Sequence, residues 1–399
     1  MMAVLRSKIA RGARVNFGSQ VGVAAHERLR MQTLFAVAIL KLFNFIGGAW
    51  DIQWHIEIGR DSLWIPPHLL VFFAFVTGLA LTLALIAYET YLAGSGRPPA
   101  HSFRVGRLCG PAAAFGIVTG YILALLSALF DELWHELFGI DATLWSPPHL
   151  LIMLATVVVD YSLMLGIFIS TRRLGYEFNL KSPLFWGLIL TGAYAFEAVN
   201  FQLGEAFIVG YRQDGAGLYG LLFPILVGAF LPLSVIVLVR LARRYWVVLL
   251  ALGLTLLLQY LATGIAAAGF AILKPVSVID EYVLQNPEST AAKAREFARL
   301  LGFNGLIGFH QAWTMALTLW PLALVSALEW IPGARRYPLV AAPIFSVGMV
   351  LFSYLWFQQK AVLRAYPIGP LDLLLACGIS ALGGLLLGWL GLRLASRAG

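Results

Sequence analysis

Six residues of metal-binding types recur in this chain in the same order and at nearly the same spacing. Asp51, His55 and His68 form the first set; Asp131, His135 and His149 form the second, eighty residues later. They belong to a longer shared pattern, D-x-x-W-H-x-x-x-G-x-D followed by L-W-x-P-P-H-L-L. One residue is inserted in the second copy, between Asp141 and Trp145. Four of the seven histidines fall inside the two copies. Packing alone would not make two helices agree on Asp, Trp, Gly, Pro and His together. Either a unit was duplicated or a site is needed twice, and both point to a ligand.

The spacing says how each set would converge. Asp51 and His55, like Asp131 and His135, are four apart, which on a helix puts both side chains on one face, a turn apart. Pro66-Pro67 and Pro147-Pro148 then open a returning helix, since proline is favoured in a first turn; Ser146 suits the N-cap of the second. His68 and His149 fall in that first turn and face back towards the helix just left. Each hairpin would thus gather one carboxylate and two imidazoles. Such a set suits copper, zinc or non-haem iron alike, and suits Mg or Ca poorly. Asp61 and Asp141 are candidates to hold a histidine N–H. His310 and Glu197 are candidate additions to the site, and Lys41 and Asp160 are ionisable groups within spans. Trp54, Trp64, Trp134 and Trp145 read as an interfacial aromatic belt.

The elements that must position these residues are membrane helices. The chain has 399 residues, of which 60% are hydrophobic and 12% charged, half the ~25% charge of a soluble domain. Its apolar runs reach the roughly 20 residues needed to cross a bilayer and do not alternate as barrel strands would. We expect an all-α, polytopic transmembrane bundle of about ten spans, over residues 32–50, 67–93, 110–131, 148–170, 184–204, 217–239, 246–272, 311–330, 338–357 and 370–392. The net charge of +8 follows the positive-inside rule and is no sign of nucleic-acid binding. Basic residues occupy the N-terminal arm and alternate loops, which puts both termini in the cytoplasm and both motif copies at the outer (periplasmic or extracellular) face of the cell's inner or plasma membrane. Three regions follow: a basic cytoplasmic arm (1–31), a tandem pair of hairpins carrying the motifs (32–170), and a six-span region (171–399) with an outer loop at 273–309. In that loop residues 289–301 are amphipathic, fit to lie on the membrane surface or to cap the bundle. Cys109 and Cys377 are too few for a disulfide framework. No GxxxxGK[ST], CxxC or HExxH motif appears, so nothing supports ATP hydrolysis or zincin chemistry.

Asp51-x3-His55-x12-His68 resembles the pattern D-x3-H-x12-H, the copper ligands of an all-helical membrane subunit of the particulate methane and ammonia monooxygenases. That family has a second cluster of the type N-x3-H-x13-H, and Asp131-x3-His135-x13-His149 is similar to it, with Asp131 where the family has Asn. The resemblance covers residues 32–170. It implies two copper sites, Asp51, His55 and His68 for the first and Asp131, His135 and His149 for the second. It also implies a part in oxidising a small apolar substrate such as a hydrocarbon or ammonia, and hetero-oligomeric partners of the monooxygenase type beside the lipid bilayer. Whether the chain is itself an enzyme stays open. A transporter or metal-handling protein with outer-face Asp-His-His sites is the first alternative, since tandem repeats also suit transporters. A non-catalytic assembly protein is the second.

Overall fold

The computed structural model describes residues 17–59, 62, 64–138, 143–302 and 312–398. Its elements in chain order are α1 (Phe17–Glu57), α2 (Pro66–Gly94), a short antiparallel pair β1 (Phe103–Val105) and β2 (Leu108–Gly110), α3 (Ala112–Phe138), α4 (Pro147–Arg173), α5 (Pro183–Leu203), α6 (Glu205–Arg212), α7 (Leu222–Ala242), α8 (Val247–Leu273), α9 (Ile279–Gln285), α10 (Thr290–Leu300), α11 (Ala312–Ala316), α12 (Leu319–Ala327), α13 (Ala341–Phe357), α14 (Ala361–Arg364) and α15 (Pro370–Ala398). Among the described residues nine helices are long and apolar enough to cross a membrane. The chain is a multi-pass helical bundle of the membrane type.

The expected eighth span, 311–330, is the one that differs. It begins at the edge of the described residues, and its apolar helix Thr314–Trp330 is too short to count with the others. It also breaks into α11 and α12. Pro321 has no N–H for the carbonyl of Leu317, and the chain tightens instead through Thr318 N–H and its hydroxyl, both donated to the Met315 carbonyl at 3.0 and 2.6 Å. The β1–β2 ribbon was not expected. It forms because Gly106, at φ +59, permits a two-residue hairpin turn.

Residues 17–31 of the expected basic arm are helical and belong to α1, whose 41 residues run about 60 Å. Three layers of buried charge lie along this helix. At one end Arg30 donates to both oxygens of Glu89 (2.7 and 2.8 Å), to Glu27 (2.7 Å) and to Ser102 Oγ (2.8 Å). In the middle Lys41 pairs with Asp160 of α4 at 2.5 Å. At the far end stand Asp51 and His55. Apolar clusters separate the layers; Leu34, Val37 and Ala38 pack with Ile117 and Ile167 between the first two.

The hairpins α1–α2 and α3–α4 are closed by one device at matched positions. Gly47 stands four residues before Asp51, and a Cβ there would lie 2.9 Å from the Pro67 carbonyl oxygen. Ser127 stands four before Asp131 and donates its hydroxyl to the Pro148 carbonyl at 2.6 Å. In both copies a small residue lets the outgoing helix approach the second proline of the returning one.

Candidate metal centre

Both returning helices start at the first proline of their pair, with Ile65 and Ser146 in extended N-cap positions. Ser146 does not cap the helix with its side chain as expected. Its hydroxyl lies 2.9 Å from His149 Nδ1 instead. That nitrogen also lies 2.7 Å from the Thr143 carbonyl oxygen. His68 Nδ1 lies 3.0 Å from the carbonyl oxygen of Ser62. A carbonyl only accepts, so in both rings Nδ1 carries the proton, and the accepting carbonyl is six residues back in each copy despite the inserted residue. These carbonyls fix the ring tautomer and turn Nε2 inwards. Asp61 and Asp141, expected in that role, lie outside the described residues, as does His310.

His68 Nε2 meets Asp51 Oδ1 at 3.1 Å, and His55 Nε2 approaches the same oxygen at 3.7 Å. A nitrogen lone pair against a carboxylate oxygen needs a positive charge between them, either a proton or a metal ion. The Asp51, His55 and His68 ligand atoms all lie within 4.8 Å of one another. Neither ring nitrogen of buried His55 has a hydrogen-bond partner among the described residues, as befits a ring kept for a ligand. The second set is wider. His149 approaches Asp131 Oδ1 at 3.5 Å and His135 approaches Oδ2 at 3.7 Å, so its carboxylate bridges two rings rather than offering both one oxygen.

The two sets lie side by side. His55 stacks on His135 with 6.0 Å between ring centroids, and is 6.4 Å from both His68 and His149. A cavity of about 190 Å³ opens beside them. Matched positions of the two copies line it, with Gly48 answering Ala128, Val71 answering Ile152, Phe72 answering Met153 and Phe75 answering Thr156. Five carboxylates face it, from Asp51, Asp131, Glu132, Glu197 and Glu205, and no Lys or Arg is among its described lining residues. Its potential therefore favours cations.

Neighbouring elements hold the chain just before His149 and the end of α1 in place. The chain before His149 is tied to the α5–α6 junction. Thr143 Oγ1 donates to Glu205 Oε1 at 3.0 Å, Trp145 Nε1 donates to the Gln202 carbonyl at 2.8 Å, and Gln202 Nε2 donates to the Leu144 carbonyl. The end of α1 is covered by residues 277–295. Ser277 Oγ donates to the Glu57 carbonyl (2.8 Å), Val278 N–H to that of Ile58 (2.8 Å), and Arg295 Nη2 to that of Ile56 (2.9 Å). Otherwise-unpaired carbonyls of a helix end are thus satisfied. Thr290, Ala291 and Ala294 of α10 close over the cavity, so the amphipathic stretch caps the bundle. Trp54 is not a belt residue either; it is buried against Ile58, Ile65 and Phe270, whereas Trp64 is 72% exposed.

Glu197 lines the cavity as a candidate addition. Gln202 and Glu205 were not anticipated. Glu197, Phe201 and Glu205 recur at four-residue steps, one face of a helix, and that was the available signal. No family model, curated protein or solved structure matches this chain.

Proposed function

We propose that this chain is a membrane metalloprotein that binds copper at the paired Asp-His-His cluster. It acts in, or derives from, an oxidation of a small apolar substrate like that of the methane and ammonia monooxygenases. The observation that carries this reading is the convergence of both motif copies on one cavity, with Nδ1 of His68 and of His149 held by equivalent backbone carbonyls. Two imidazoles and a carboxylate suit copper, and also zinc or non-haem iron. Copper bound there would supply one-electron redox chemistry and the activation of dioxygen. The protein's own part is to hold Nε2 of each ring inward, to offset cationic charge with Asp51 and Asp131, and to offer an apolar wall of Val71, Phe72, Phe75, Ile152 and Met153 to the substrate. Monooxygenase-type partner proteins belong to this reading, as does an outward-facing cavity.

Metal analysis of the purified protein tests it, with His55→Ala and His135→Ala alongside. We expect bound copper in the wild type and less in each variant. Equal trace metal in all three would sink the reading. A metal-handling role is favoured by the five carboxylates and by the lack of Lys or Arg among the described lining residues. In vesicles loaded with a copper-sensitive dye that role gives metal entry, whereas an oxidative site gives binding alone.

A further inference from the structure

We propose that the groove between α12 and α13 binds one anionic phospholipid, an acyl chain lying along α13 and the phosphate pairing with Arg336. The metal-centre reading plays no part in this site.

The groove has the length and chemistry of a lipid chain. Its described lining is apolar throughout, with Leu324 from α12 and the rest from α13. Along α13 the lining begins at Pro343 and ends at Leu355, with Ile344, Gly348 and Leu351 between them at helical steps. That stretch rises about 18 Å. One leaflet supplies about 15 Å, half of the hydrocarbon core. The groove is thus about as long as a leaflet is deep. Gly348 keeps it open, since even a Cβ there would come no nearer than 3.4 Å to its closest neighbour, Leu324 Cδ1. Trp320 of α12 stacks on Phe352 with 6.2 Å between ring centroids and braces the two walls.

Charge at one end of the groove selects the lipid. Arg336 precedes Pro343 by seven residues, and exposed Trp330 and Tyr337 flank it in sequence. Aromatic rings of this kind mark the headgroup level. The backbone beneath Arg336 is firmly held. Glu329 pairs with Arg335, and with Arg244 at 3.5 Å, and accepts the Tyr245 N–H at 2.8 Å. Tyr245 donates its hydroxyl to the Ala334 carbonyl at 2.8 Å, and Arg336 N–H donates to the Gly333 carbonyl at 3.0 Å. These contacts bring residues 240–245 and 329–337 to one end of the bundle. Together they carry five arginines, Arg240, Arg243, Arg244, Arg335 and Arg336, against the single carboxylate of Glu329. Arg335 and Arg244 share that carboxylate, and exposed Arg336 has no ion pair among the described residues. A guanidinium in this state matches a phosphate with two parallel hydrogen bonds. A zwitterionic lipid offsets its own phosphate with an ammonium and leaves the surplus positive charge unanswered; an anionic one answers it.

Native mass spectrometry of the detergent-purified chain tests this, with phosphatidylglycerol and phosphatidylcholine of identical acyl chains as probes. We expect one phosphatidylglycerol per chain, bound about fivefold more tightly than phosphatidylcholine, the worth of one arginine beside an anionic headgroup. Arg336→Ala should abolish that preference. Arg107→Ala, which removes an exposed arginine beside the β1–β2 ribbon, should keep it. Ile344→Trp, which fills the groove, should lower the binding of both lipids. Equal binding of the two lipids by wild type overturns the proposal. So does equal loss in Arg336→Ala and Arg107→Ala, which is general attraction of anionic lipid to a basic surface. Unchanged binding in Ile344→Trp overturns it as well. If that variant does not fold, a phosphatidylglycerol with a photoreactive group in mid-chain decides: labelling within residues 343–355 supports the groove, and labelling only elsewhere overturns it.

Discussion

His55 and His135 lie ring over ring, 6.0 Å between centroids and 13° between planes, although eighty residues separate them in the chain. The hairpins therefore present their motifs to each other. His55 neighbours a histidine of its own set, His68, and two of the other, His135 and His149. Its loss should disturb both binding loci, whereas loss of His135 should disturb mainly the wider second one. Isothermal titration with copper checks this. We expect His55→Ala to weaken both binding steps and His135→Ala only one; identical effects would contradict the shared geometry.

Ser146 supports His149 without being indispensable, because the Thr143 carbonyl stays in place when the hydroxyl is removed. Loss of an outer-shell partner typically costs 10–100-fold in metal affinity. Ser146→Ala should fall near the lower end, at about tenfold, and at one locus. A competition titration with a chromophoric chelator reads this directly.

Gly47 and Gly48 are neighbours with opposite tolerance. A Cβ on Gly47 would press on the Val71 Cγ2 at 2.8 Å and the Pro67 carbonyl at 2.9 Å, whereas one on Gly48 meets nothing within 4 Å. Gly47→Ala should destabilise by about 1–3 kcal/mol, the range for overpacking, and should lower metal affinity by moving α2. Gly48→Ala should stay within ~0.5 kcal/mol, in keeping with Ala128 at the matched position. Thermal unfolding in detergent compares the two.

The Lys41–Asp160 pair is buried on both sides. Removing one partner leaves a buried charge, which typically costs about 3–5 kcal/mol. Lys41→Met and Asp160→Asn should each destabilise by about that much. The double variant should be less destabilised than the sum of the two. A double-mutant cycle on unfolding gives the coupling, and simple additivity would show that the pair does not act as a unit.

Nine crossings would leave the start of α1 and the end of α15 on opposite faces, and ten would leave them on one. Arg393 and Arg397 near the end of α15 favour the cytoplasm, which requires an even number of crossings, with the short apolar helix Thr314–Trp330 taking part in a tenth. Reporter fusions after residue 398, one fluorescing only in the cytoplasm and one active only outside, decide it. We expect the cytoplasmic signal.

Much of this architecture is legible in the sequence because lipid imposes a simple criterion: a run of apolar side chains long enough must be a helix. The limits of α2, α4, α5 and α8 follow from that alone. The span at 311–330 does not, since its break depends on which carbonyls Pro321 strands and how Thr318 answers them. Arg30 looks like one more topogenic cation and is instead enclosed by Glu27 and Glu89, a matter of partners from distant segments.

The sequence by itself determined the helical class, the two ligand sets and their near-equal spacing, because helix periodicity and proline starts are local properties. Only the tertiary structure decided that the two sets adjoin at one cavity, that backbone carbonyls hold the histidine rings, and that Glu197 and Glu205 of α5 and α6 look into the same cavity. Those relations depend on how hairpins and later helices pack, which spacing along one chain does not encode residue by residue.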